Sequence, residues 1–108
     1  MILKIRGKSS ITDRPETVYI PTWGIIEVLA KPDYVFITYG AIDSYEEGGS
    51  YSRYVTIKLD FNDKIKDDKD KLKVAEAFAE EIIAMIKDRS VRIVDVDEIK
   101  KKYEVVMK

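Results

Sequence analysis

Residues 51–61, YSRYVTIKLDF, alternate with a period of two. Tyr51, Val55, Ile57, Leu59 and Phe61 share one face, with Arg53 among them near the start. Ser52, Tyr54, Thr56, Lys58 and Asp60 share the other. A strand with one buried and one wet face produces this pattern. Such a strand cannot stand alone in water. The rest of the chain has to supply neighbouring strands and a layer over the apolar face.

That layer is written in residues 70–89, DKLKVAEAFAEEIIAMIKDR. Leu72, Ala75, Phe78, Ala79, Ile82, Met85 and Ile86 recur at helical spacing and form one broad apolar stripe. Asp68 and Asp70 are the candidate N-caps, and Lys87 and Arg89 suit the C-terminal end of the helix dipole.

Neighbouring strands come from the first sixty residues. ILKIR (2–6) places Leu3 and Ile5 on one side and Lys4 and Arg6 on the other. Residues 7–16 read as turns. TVYIPTWG (17–24) reads as a strand that Pro21 confines to an edge or a bulge. IIEVLA (25–30) fits a strand or a helical turn equally well. Lys31-Pro32-Asp33 reads as a turn. DYVFITYGAI (33–42) is apolar on both faces, which predicts a central strand covered on both sides. Residues 43–50 are a loop, with Gly48 and Gly49 as the hinge of a hairpin.

After the long helix, VRIV (91–94) reads as a short strand and 94–103 as the start of a second helix. Asp95 and Glu98 have the spacing of a capping box, with Val94 and Ile99 as its hydrophobic staple. Residues 103–108 end that helix or form a last strand. The expected fold is a single α+β domain over 1–108. Its antiparallel sheet of four to five strands is covered on one face by the helix at 70–89.

Composition narrows the chemistry. The chain has 108 residues, no Cys and no His. Serine–histidine and cysteine–histidine nucleophiles are therefore excluded, as are zinc sites built on imidazole or thiolate. GKSS (7–10) lacks the earlier glycine and the following helix of a phosphate loop. In 60–71, Lys64 and Ile65 occupy positions where a calcium loop needs an oxygen ligand and a glycine. Asp95 and Glu98 are explained by capping without a metal. The expectation is a protein with no enzymatic activity, no cofactor and no metal.

A formal net charge of −1 gives no long-range pull toward nucleic acid or anionic membrane. No apolar run reaches the roughly 20 residues of a membrane span, and the N-terminal stretch is broken by Lys4 and Arg6, so a cytoplasmic location is expected. The near absence of Asn, the absence of Gln and the wealth of Lys and Glu point to a thermophilic source.

What remains is a binding surface. Lys4, Arg6, Tyr54 and Lys58 point away from the inferred core, and Tyr19, Trp23 and Tyr39 are candidates to join them. The leading expectation is an interaction module that self-associates, as a homodimer, through its sheet, because strand 34–42 asks for cover on its second side. The alternative is a single-stranded nucleic-acid binder that stacks bases on the aromatics and holds phosphates with the cations.

Overall fold

Among the described residues, six strands and two helices follow in the order β1 (Ile2–Ser9), β2 (Pro15–Pro21), β3 (Ile25–Lys31), β4 (Tyr34–Ser44), β5 (Gly49–Lys58), α1 (Asp68–Lys87), β6 (Ile93–Asp95) and α2 (Val96–Lys100). This computed structural model describes residues 1–10, 14–44, 49–61, 64–88 and 93–104; the side chains of Ile26, 41–44 and 49–51 lie outside that description. The expected packing of Tyr51, Gly48 of the expected hinge, Arg89 and the ending at 105–108 therefore fall outside it.

The main sheet has the order β2-β1-β5-β4-β3, every pairing antiparallel, and β6 adds a short parallel pairing to β1. The architecture is the expected α+β class, with one strand more and a mixed rather than purely antiparallel sheet. β3 settles the ambiguity of 25–30: Val28 pairs with Ile37 and Ala30 with Val35. Its helical period loses to the ladder that β4 offers. The turn between them is as read, with Pro32 followed by Asp33 at φ 68. Asp tolerates that left-handed conformation better than most residues.

β2 and β3 occupy opposite ends of the strand order, yet only Thr22–Gly24, a single 3₁₀ turn, separates them. Five strands laid flat at about 4.8 Å spacing would put those ends roughly 19 Å apart. Three linking residues span at most about 14 Å even when extended. The sheet must therefore curl until the end of β2 approaches the start of β3. Thr22 N–H donates to the Met1 carbonyl at 3.1 Å, which fastens the turn to β1.

The inside of the curl is the core. Leu3 and Ile5 of β1, Ile20 of β2, Val35 and Ile37 of β4, and Val55 and Ile57 of β5 are buried there, with Leu59 and Phe61 just beyond β5. α1 brings Ala75, Phe78, Ala79 and Ile82 to the same cluster, and Val94, Val96 and Ile99 close it. The stripes read from the sequence are thus the surfaces that meet.

Details at element ends differ from expectation. β1 runs through Gly7 to Ser9 where a turn is expected, because those residues still pair with β2 and β5. α1 starts at Asp68, and its N-cap is Asp67, not Asp68 or Asp70; the Asp67 carboxylate accepts from Lys69 N–H at 2.9 Å. Asp95 does cap α2, but it accepts from Asp97 N–H at 3.1 Å. Glu98 pairs instead with Lys101 at 3.2 Å, so the reciprocal capping box does not form. Val94 and Ile99, the expected staple, are both buried.

Candidate binding face

The outer face of the sheet is a grid fixed by strand register. One row across it reads Thr56, Phe36 and Leu29, with Lys8 opposite Thr56 on β1. The next reads Lys58, Tyr34 and Lys31. The row on the other side reads Tyr54, Thr38 and Glu27. All of these side chains have the parity opposite to Val35, Ile37, Val55 and Ile57, so the buried set forces them outward.

Three aromatics stand together in the middle. The rings of Tyr34 and Phe36 are 6.3 Å apart, and those of Phe36 and Tyr54 are 6.2 Å apart, the latter edge-on. Lys31 Nζ sits 5.6 Å from the centre of the Phe36 ring, within reach of a cation–π contact. Tyr34, Tyr54 and Leu29 keep between a third and a half of their surface in solvent. The expected cover over the second side of β4 is not supplied by the described part of this chain: Tyr34, Phe36 and Thr38 remain partly open.

The strip leads into a cleft of about 650 Å³ where β1 splays from β5. Lys8 and Ser9 pair with Thr56 and Val55, whereas Ile2, Leu3 and Lys4 pair with β6 instead. The chain leaves β6 directly into α2. Arg6, Lys8, Thr17, Tyr34, Thr56 and Lys58 line the cleft together with Lys100 of α2. Among the described residues, Glu16 is the single carboxylate in the lining. Gly7 makes the junction possible: a Cβ there would lie 2.5 Å from the Thr56 carbonyl oxygen and 2.8 Å from a Val55 methyl.

Charges behind the lining set its posture. Arg6 Nε stands 3.9 Å from an Asp97 carboxylate oxygen, and Lys100 Nζ stands 3.4 Å from Glu104. Burial, then the neighbouring charge of Asp95, raises the Asp97 pKa above the usual carboxylate value, while Lys100 and Arg6 pull it back. Asp97 therefore occupies a site that disfavours its ionisation, an effect that those two cations and a backbone hydrogen bond from Arg6 partly offset.

Sequence reasoning located part of this face. Arg6 and Lys58 line the cleft, and Tyr54 stands on the strip. Lys4 and Tyr19 are cross-strand partners, but farther along the β1–β2 hairpin, where Asp95 is the other register neighbour of Lys4. Trp23 lies on the 3₁₀ turn, 88% exposed. Tyr39 is a correction. It pairs with Arg53, on the inner parity, and packs against the core. Tyr34, Phe36, Lys8, Lys31 and Lys100 were not singled out. Strand parity alone would have grouped Tyr34 and Phe36 with each other, but joining them to Tyr54 requires the β4–β5 register.

No protein-family model, no curated protein and no solved structure matches this chain. Among the described residues no helix is long and apolar enough to cross a membrane, and no three carboxylates gather in a way that could hold a metal ion.

Proposed function

We propose that the protein is a non-enzymatic binding module for single-stranded nucleic acid, working through the outer face of its sheet. The observation that carries this reading is the aromatic strip Tyr34–Phe36–Tyr54 opening into a cleft lined by Arg6, Lys8, Lys58 and Lys100. Aromatic faces accept any base, and neighbouring cations take the phosphates. The near-neutral whole-chain charge is compatible with this because the cations are concentrated locally. The lack of His and Cys supports a binding role over a catalytic one.

Self-association through the same face is the second reading, supported by the partly exposed Leu29, Tyr34 and Tyr54. A twofold contact would set this face against its own copy, where Lys8, Lys31 and Lys58 outnumber Glu27. Lysine is also depleted at such interfaces. The charge pattern therefore favours an anionic partner.

Fluorescence anisotropy with labelled DNA and RNA oligomers at low and moderate salt tests the proposal. The expected result is binding that weakens with salt. Tyr54→Ala should weaken it by about 1–3 kcal/mol if a base stacks there. Lys58→Ala should reduce the salt slope by about 1. Absence of binding at tens of micromolar, or salt-independent binding, would refute it. A dimer by light scattering that is lost in Tyr54→Ala would favour the second reading.

A further inference from the structure

The cleft differs in kind from the strip beside it. A strand that passes along a groove needs cations spaced to follow single charges, one per diester. Here Arg6 and Lys8 from β1, Lys58 from β5 and Lys100 from α2 converge on one concavity. The hydroxyls of Thr17, Tyr34 and Thr56 share its lining and can donate to phosphate oxygens. β2 contributes Pro15, Glu16 and Thr17 to the same lining.

We infer that this cleft is a seat for a phosphomonoester, the terminal phosphate of a nucleic-acid strand or the phosphate of a free nucleoside monophosphate. A monoester carries about −1.5 to −2 at neutral pH, more than a diester, and matches a cluster of cations better than a chain of them. Lys100, its side chain 24% exposed, is ordered beside Glu104 at 3.4 Å, and a phosphate would share it with that carboxylate. Arg6 reaches the cleft with its side chain 72% exposed and stands 3.9 Å from Asp97. Tyr34, common to strip and cleft, offers a ring to the attached base.

The strand-end form of this inference rests on the single-strand reading; the free-nucleotide form does not. Isothermal titration with a nucleoside monophosphate and with the matching nucleoside tests the cleft directly. Anisotropy with oligomers bearing either a terminal phosphate or a terminal hydroxyl tests the strand end. The phosphate should strengthen binding about tenfold or more, in line with charge-assisted hydrogen bonds. Lys58→Ala and Lys100→Ala should each remove most of that gain. Lys58 lies exposed on a strand, so its variant keeps the test valid if Lys100→Ala disturbs α2. Asp97→Asn, which deletes the charge competing for Arg6, should strengthen binding of the phosphate.

Preference for phosphate with the monophosphate alone identifies a free nucleotide as the ligand, and preference with oligomers identifies a strand end. Equal binding of phosphorylated and unphosphorylated forms, or a phosphate preference untouched by Lys58→Ala, overturns the inference. Oligomers that bind regardless of their termini would do so while leaving the single-strand reading intact. Monophosphate that binds where no oligomer does would keep the cleft and sink that reading.

Discussion

Gly7 shows how one position can govern both stability and site. Its missing side chain is what lets β1 lie against β5. In Gly7→Ala the new methyl meets backbone, which cannot swing aside as a flexible side chain would. The cost should be about 1–3 kcal/mol, read from urea unfolding. Tyr103 works at the same scale through a proton. Burial, then donation of its hydroxyl to Glu81 at 2.9 Å, then the charges of Glu81 and Glu80, raise its pKa above 10.0. The folded state thus holds this proton more tightly than the unfolded chain. The resulting stability is complete below the unfolded value near 10 and is lost as pH rises through the folded value. Tyr103→Phe should lower stability at neutral pH by about 1 kcal/mol. Its denaturation profile should also be flatter in the alkaline range than that of the parent.

At the scale of elements, the sequence was legible where period and burial agree. The stripe Ala75–Phe78–Ala79–Ile82 and the alternation Val55–Ile57–Leu59 each fit one period only, and each is buried as read. Where a segment fits two periods, tertiary pairing decides. Residues 25–30 became a strand because β4 supplies the ladder. Cap choice was not legible, since Asp67, Asp68 and Asp70 are chemically alike and only geometry selects Asp67. Asp67→Ala should therefore destabilise the protein by about 1 kcal/mol, while Asp70→Ala should remove no capping bond, a contrast readable by thermal unfolding. β1 was read short because Gly7, Ser9 and Ser10 have turn chemistry. Their use is different: Gly7 gives room, Ser9 is buried, and the Ser10 hydroxyl accepts from Tyr54 N–H at 3.1 Å.

At the scale of the molecule, the two-layer α+β plan was legible and the curl was not. Curling follows from strand order, which no local pattern encodes. The site suffered the same limit. Tyr54 and Lys58 announce themselves by parity within one strand, but Lys100 reaches the cleft only because β6 pairs with β1 and delivers α2 there. The face of Tyr39 is open in the sequence for a related reason. Strand 34–42 is apolar on both sides, so its inner face could be assigned only once Val35 and Ile37 were seen in the core.

The position of β1 also has a consequence for the order in which the protein can assemble. β3, β4 and β5 form a meander of neighbouring segments that needs nothing distant. β1 meets β5 some forty-five residues later, at Ser9 and Val55, and then meets β6 at Ile93–Asp95. During synthesis the β1–β2 hairpin emerges before β5 and β6 and holds an open edge until they follow. The last contacts to form are those of high sequence separation, which are the slow ones. The same late contacts build the cleft, so its cations assemble only in a molecule whose sheet is finished.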